Sequence, residues 1–178
     1  RNILESDAIA ILVDSRKLAV SREDLRLGPM GKNDAAVESL LSEIQRWREH
    51  GGRKLLYPIF IFSKFNCVEP EALRVVNVEA APPGVTKRGP RAAYAEALLD
   101  HNLPRTMAKV RARERRGLKF AMPSYFFSWV HTEGAMLGRS ERVRLRHSGV
   151  VGWEPDYSRD EYLAFLECLL DISARTGE

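Results

Sequence analysis

Two short apolar runs, Ala8–Asp14 (AIAILVD) and Leu55–Phe62 (LLYPIFIF), decide the fold of this chain. Neither carries a charge before its last residue, which is typical of strands buried on both faces of a parallel sheet. Between the runs, apolar residues recur at helical spacing over residues 34–50, and Gly51 and Gly52 end that stretch. Strand, helix and strand in this order predict a βαβ unit with a right-handed crossover.

A third apolar run, residues 118–130, predicts another strand, and we expect Ser124 to lie at the end of that strand. Helical spacing recurs over residues 91–116, with a break near Pro104, and over residues 159–174. Three strands that alternate with helices predict an α/β fold, with a mostly parallel sheet flanked by helices in a three-layer sandwich.

The segments between these elements carry weaker patterns. Residues 15–32 are polar and contain glycine and proline, which predicts a loop. Proline cannot donate to a β-ladder, so the second strand is expected to begin at Pro58. Residues 67–90 and 131–152 are predicted to be loops or insertions, the first containing a short strand or edge element at Leu73–Val78 and the second a hairpin.

Composition limits the class of protein. The chain has 178 residues, of which 44% are apolar and 29% charged, and its net charge is +4. These values fit one globular domain over residues 1–178 and exclude disordered, collagen-like and coiled-coil chains. No apolar run reaches the ~20 residues of a membrane helix. Cys67 and Cys168 lack metal-ligand spacing and are typical of reduced thiols, so we predict a cytoplasmic protein without a membrane partner.

Polar residues follow the predicted strands. Open α/β sheets bind ligands outside the carboxyl ends of their strands, which directs attention to Asp14, to Ser63–Asn66 and to Ser124. Asp14 is either a metal carboxylate or the cap of the turn that follows it. Ser63–Asn66 is either part of a ligand site or an ordinary turn.

The order of these elements resembles the second half of a Ras-like P-loop GTPase domain. In that family a central strand ends in an Asn/Thr-Lys-x-Asp motif that reads the base, and Ser63–Asn66 (SKFN) resembles it. Phe120–Tyr125 (FAMPSY) resembles the last strand with its serine, and the helix from residue 159 resembles the closing helix. More narrowly, the chain is similar to divergent bacterial and archaeal GTPase-like domains that carry long inserts after the base-reading motif.

The resemblance implies a purine-nucleotide site. Its residues would be Ser63, Lys64, Asn66, Ser124 and Tyr125, and its ligand GTP or GDP with Mg²⁺. Lys64 would lay its aliphatic stem on the base. Asn66 stands where the family has an aspartate, whose carboxylate accepts both donors of the guanine edge, whereas an amide offers one acceptor and one donor group. This departure implies a weaker preference for guanine, a shift towards a xanthine-like edge, or a lost site.

The phosphate-binding motif of the family is missing from the sequence. A Gly-x4-Gly-Lys-Ser/Thr loop cradles phosphates with backbone N–H groups. Gly28 and Gly31 are too close together for it, and Gly84 and Gly89 have the right separation but are followed by Pro90 in place of the lysine. The resemblance places this loop and the switch motifs upstream of Arg1, so the domain is expected to be incomplete at its N-terminus. We therefore assign no catalytic residue and no metal ligand, and expect GTP hydrolysis only where an upstream loop exists.

A basic stretch over residues 105–119 is the strongest local charge feature, and a second, shorter one covers residues 139–146. Either is most simply a solvated face. The alternative function is a catalytically inert GTPase-like module that binds an acidic protein, the rest of a larger chain or, less readily, nucleic acid through residues 105–119.

Overall fold

A parallel sheet forms the centre of the protein. The computed structural model describes residues 5–48, 55–112, 119–133, 142–150 and 152–177. The strands of the sheet are β1 (Ala8–Asp14), β2 (Leu55–Ser63), β3 (Lys119–Phe120) and β4 (Ser124–Ser128). β2 is central, with β1 on one side and with β3 and β4, one after the other, on the opposite side; all these pairings are parallel. The predicted α/β class with a parallel sheet is thereby confirmed.

Helices connect the strands and follow them. Their bounds are α1 (Arg22–Leu27), α2 (Pro29–Arg48), α3 (Pro70–Val75), α4 (Arg88–Asn102), α5 (Pro104–Arg111) and α6 (Arg159–Thr176). Short 3-10 turns occupy Ser15–Lys17 and Phe65–Cys67. Two small antiparallel hairpins precede α6: β5 (Thr132–Glu133) with β6 (Arg142–Val143), and β7 (Leu145–Ser148) with β8 (Gly152–Pro155).

The two faces of the sheet have separate apolar clusters. On one face, Ile11 of β1 and Phe60 of β2 are buried in a large cluster with Leu41 of α2 and Leu98 of α4. On the other face, α6 covers the sheet through a smaller cluster that contains Ile59, Phe126, Phe165 and Ile172. The alternation of side chains along each strand explains this division, because neighbouring residues point to opposite faces. The sheet is therefore flanked by helices on both faces.

The predicted loop over residues 15–32 is wrong in its second half. Ser21 caps α1 by accepting a hydrogen bond from the Asp24 N–H at 3.0 Å, and Gly28 ends that helix. Pro29 is then the first residue of α2, a position where the missing N–H of proline is not needed. Glycine and proline here separate two helices. The long helix accordingly begins at residue 29, before the predicted residue 34.

Two strand predictions also need correction. β2 begins at Leu55, not at Pro58, because Pro58 lies beside the gap between β3 and β4, where its missing donor interrupts no ladder. Leu73–Val78 is not a strand: Pro70 begins α3, which continues to Val75.

The remaining predictions mostly hold. Helical structure over 91–116 is confirmed as α4 and α5, separated at Leu103, although residues 113–118 lie outside the described part of the chain. The hairpin within 131–152 is confirmed where it is described, and residues 134–141 and 151 lie outside the described part of the chain. Gly51 and Gly52, the predicted end of the helix over residues 34–50, also lie outside the described residues. Among the helices that the structure describes, none has the length and apolar character needed to cross a membrane.

Candidate functional site

The carboxyl ends of three strands lie side by side. In the register of the sheet, Asp14 of β1 is beside Ser63 of β2, and Ser63 is beside Ser128 of β4. The Ser63 hydroxyl donates to the Val13 carbonyl at 3.3 Å, and the Ser128 and Tyr162 hydroxyls are 2.7 Å apart. These residues form a polar row along what we call the carboxyl edge, the rim of the sheet at Asp14, Ser63 and Ser128.

Asp14 is occupied by its own neighbours. Its carboxylate accepts two hydrogen bonds from the Arg16 guanidinium, at 3.1 and 2.9 Å, and lies 3.9 Å from the Lys17 ammonium. The hydrogen bond from Arg16 is the main reason that the pKa of Asp14 lies below its ordinary value, and the charge of Lys64 adds to the effect. Asp14 also caps the turn that follows it by accepting the Arg16 N–H. This geometry favours the interpretation of Asp14 as a cap.

In the Ser63–Asn66 segment, two polar side chains are exposed to solvent and one aromatic side chain is buried in the core. Lys64 and Asn66 are exposed, whereas Phe65 is buried and packs edge-on against Phe62 and Phe127. Lys64 has a left-handed backbone (φ 55°, ψ 40°), which reverses the chain as soon as β2 ends. The buried phenylalanine therefore anchors a turn that presents Lys64 and Asn66 at the carboxyl edge.

Ser124 does not lie at the carboxyl end of a strand, and that prediction is wrong. It is the first residue of β4 and pairs with Ile59, whereas Ser128 pairs with Ser63. Four residues of strand, at about 3.3 Å each, separate Ser124 from the carboxyl edge by roughly 13 Å. The physical reason is that Pro123 interrupts the third strand without ending it. The Ser124 hydroxyl instead accepts a weak hydrogen bond from the Cys168 thiol, at 3.5 Å.

Tyr125 is likewise away from the edge. It is buried, and its hydroxyl donates to a carboxylate oxygen of Glu96 at 2.9 Å. Burial is the main cause of the raised pKa of Tyr125, and the hydrogen bond to Glu96 raises it further. The structure thus brings Ser63, Lys64 and Asn66 together at the carboxyl edge and does not bring Ser124 and Tyr125 to them.

Sequence reasoning missed Ser128 and Tyr162. The signal was present, because the apolar run over residues 118–130 continues past Pro123 and its last polar residue is Ser128. Tyr162 could not be found in this way, since it comes from α6 and reaches Ser128 across 34 residues of sequence.

A buried ion pair closes the outer side of β4. The Arg91 guanidinium donates to the Tyr125 carbonyl at 3.1 Å, pairs with the Glu161 carboxylate and lies 4.9 Å above the Phe127 ring. Glu161 in turn accepts the Phe127 N–H at 3.0 Å. The two side chains therefore satisfy backbone groups of β4 that face away from β2.

An open cavity of about 690 Å³ lies next to the carboxyl end of β1, between the Ser15–Lys17 turn and α1. Its walls carry charges of both signs, from Arg16 and Lys17 and from Glu23 and Asp24. Such a mixed lining does not select an anion or a cation. Within the described ranges, no group of three or more His, Cys, Asp or Glu side chains could hold a metal ion.

Acidic neighbours contact some arginines of the basic stretches, namely Arg111, Arg144 and Arg146. Arg111 of α5 binds the carboxylates of Asp100 and Glu96 at 2.6 and 2.8 Å, and these hydrogen bonds raise its pKa. In the second stretch, Arg144 and Arg146 both contact Asp156, and Arg146 also contacts Glu154. These contacts reduce the charge that Arg111, Arg144 and Arg146 could offer to a partner, and binding of an acidic protein or nucleic acid through residues 105–119 stays a prediction.

No protein-family model, curated protein or solved structure matches this chain. The geometry of the carboxyl edge, together with the sequence motif that it displays, is therefore the basis for any functional assignment.

Proposed function

We propose that the carboxyl edge is the base-binding half of a purine-nucleotide site in a GTPase-like α/β domain. The observation that carries this proposal is the alignment of three parallel strand ends, at Asp14, Ser63 and Ser128, with Lys64 and Asn66 exposed directly beyond the central strand. Ligands of open parallel sheets bind at this place in the fold.

The chemistry of the exposed side chains suits a flat heterocycle. The four-carbon stem of Lys64 can cover one side of a base while its ammonium stays in water. The Asn66 amide offers one acceptor and one donor group, which matches the N1–H and the 2-oxo group of xanthine better than the two donors of guanine. Ser63 is held by its bond to Val13 and would position the turn.

The third strand would contribute through Ser128 and the backbone that follows it, in place of Ser124 and Tyr125. Ser128 is next to Ser63 across the sheet, and Trp129 packs against the large apolar cluster. We expect a backbone N–H after Ser128 to donate to a base oxygen at this edge. Phosphates and Mg²⁺ would be held elsewhere, and hydrolysis is not part of the proposal.

A fluorescent nucleotide titration tests base binding. We expect mant-labelled XDP to bind more tightly than mant-labelled GDP, and Lys64→Ala to weaken binding about tenfold without changing the urea unfolding curve. Lys119→Ala removes an exposed lysine at the opposite end of the sheet, where Lys119 pairs with Leu55 at the start of β2, and serves as the matched control. Failure of every purine nucleotide to bind would refute the proposal. If Lys64→Ala lowers the free energy of unfolding as much as it lowers the free energy of binding, Lys64 stabilises the fold and does not contact the base.

The Asn66→Asp variant tests which atoms read the base. A carboxylate accepts both donors of guanine, so the preference is expected to move towards GDP by about tenfold, which corresponds to one charge-assisted hydrogen bond. An unchanged ratio of XDP to GDP affinity would show that Asn66 does not face the base.

A further inference from the structure

The outward side of α6 carries large apolar side chains. The inner side of this helix packs on the sheet through Phe165 and Ile172. On the other side, Leu163, Leu166 and Leu170 are 50%, 54% and 70% exposed. Single apolar residues scattered over a surface are ordinary, but three leucines within two turns form a contiguous patch. A helix that is apolar on both sides is typical of one that is buried on both sides.

The spacing of these leucines suits another helix. Leu163, Leu166 and Leu170 are separated by three and then four residues, so they lie in one row along α6, which we call the leucine row. Alternation of three and four is the spacing by which the side chains of one helix fit between those of a second helix beside it.

An acidic row lies along one flank of the leucine row. It consists of Asp160, Glu167 and Asp171, which are seven and four residues apart and therefore on the same side of the helix, and all three are exposed. Within the described ranges, no ion pair or hydrogen bond occupies these carboxylates. The flank thus presents negative charge that no basic side chain of the described chain neutralises.

We propose that the leucine row and the acidic row together bind an amphipathic helix of another protein. Its apolar residues would pack on the leucine row, and lysine or arginine residues on its flank would face Asp160, Glu167 and Asp171. Charges at these flanking positions determine which helices pair. The proposed base site uses none of these residues, so the nucleotide proposal does not depend on this surface.

The same charges disfavour two other occupants. In an antiparallel pair of α6 helices from two copies, the acidic rows would lie on the same side and repel each other. In a parallel pair, Glu167 would face Tyr162, which carries no positive charge. A membrane surface with anionic lipids would likewise repel the acidic row.

Two synthetic helical peptides test the proposal. Both are about three heptads long and share the same leucines, but one has lysine and the other glutamate at every flanking position. Fluorescence anisotropy of the labelled peptides with the full chain should show that the lysine peptide binds about tenfold or more tightly than the glutamate peptide. Added salt should reduce this difference. No binding of the lysine peptide, or equal binding of both peptides, would overturn the proposal.

Substitutions in the leucine row locate the contact. Leu166→Lys and Leu170→Lys each place a charge against the apolar side of the peptide, and each should weaken binding of the lysine peptide about tenfold or more. Leu145→Lys changes a leucine that is 52% exposed on a hairpin and should leave binding unchanged. Urea unfolding curves of the three variants show that the fold is retained. Equal effects of all three substitutions would contradict binding at α6.

Charge reversal tests the acidic row. The double variant Glu167→Lys with Asp171→Lys should bind the glutamate peptide more tightly than the lysine peptide, and an unchanged preference would overturn the proposal. Two further results would assign the surface to a different occupant and also overturn it. One is a dimer of the chain, measured by sedimentation equilibrium, that Leu166→Lys abolishes. The other is binding to phosphatidylserine vesicles that the same substitution abolishes.

Discussion

The two edges of the sheet are built in opposite ways. At β4, the outward carbonyl of Tyr125 accepts a hydrogen bond from Arg91, and the outward N–H of Phe127 donates one to Glu161, as they would to a neighbouring strand. At β1, the corresponding groups of Ala10 and Leu12 face no strand in the described chain. The molecule thus uses a buried ion pair to protect one edge, whereas the other edge has no strand neighbour in the part of the chain that the structure describes.

This difference shows how a buried ion pair can have a purpose other than stability. Replacing such a pair with apolar residues is often neutral or even stabilising. Here the guanidinium and the carboxylate carry the donors and acceptors that an exposed strand edge requires, and apolar side chains cannot supply them. The pair therefore closes an edge where pairing with another chain would otherwise occur.

The largest expected effect comes from breaking the closed edge. Glu161→Ala leaves the Arg91 guanidinium buried without its carboxylate and the Phe127 N–H without its acceptor, and we expect a loss of about 3–5 kcal/mol in the free energy of unfolding. Urea denaturation measures it. Asp100→Ala, which removes a partner of Arg111 on the surface, is the control and should cost less than about 1 kcal/mol. A loss below about 1 kcal/mol in Glu161→Ala would contradict the conclusion that Arg91 and Glu161 protect the outer side of β4.

An intermediate effect on the free energy of unfolding is expected at alkaline pH, from two buried tyrosines on the β4 side of the sheet. Burial raises the pKa of Tyr94 to about 12 and raises that of Tyr125 as well, above the ordinary value of 10.0. The unfolded chain therefore loses these protons first, so that stability is complete below pH 10 and falls as the pH rises through 10 to 12. The slope should be about 1.4 kcal/mol per pH unit for each tyrosine.

Tyr125→Phe isolates one of these contributions. Its unfolding free energy should depend less steeply on pH than that of the wild-type protein above pH 10, when both are followed by urea denaturation. Parallel curves for the two proteins would show that Tyr125 is not protected from ionisation.

The smallest expected effect is on the open edge. In dilute solution, Ala10→Pro should change the free energy of unfolding by less than about 1 kcal/mol, because the lost N–H points outward. Ile11→Pro, one residue further, removes a donor to β2 and should cost about 3 kcal/mol or more. Similar losses in the two variants would mean that the outward groups of β1 are already used.

Local patterns in the sequence were sufficient to predict the sheet. The runs at Ala8–Asp14 and Leu55–Phe62 carry no charge apart from Asp14 at the end of the first, which is typical of buried strands, and β1 and β2 confirm this. The turn at Ser63–Asn66 was placed correctly at a strand end, because polar residues directly follow the apolar run there.

Features that depend on distant residues could not be predicted. Whether Pro123 ends a strand or interrupts it is decided by β2, which pairs on both sides of the break. Arg91 and Glu161 are 70 residues apart, and nothing in either neighbourhood indicates a buried partner. Their contribution appears only when α4, β4 and α6 meet.

The same ion pair sets an order of events during synthesis. β4 is translated more than 30 residues before Glu161, so the Phe127 N–H on its outer side lacks this acceptor until the start of α6 has left the ribosome and packed. A nascent chain that is stalled or cleaved between residues 129 and 158 would present this outward donor without its acceptor and Arg91 without its carboxylate. Quality control by chaperones would be needed most in that interval, because strand edges without partners are where newly made chains aggregate.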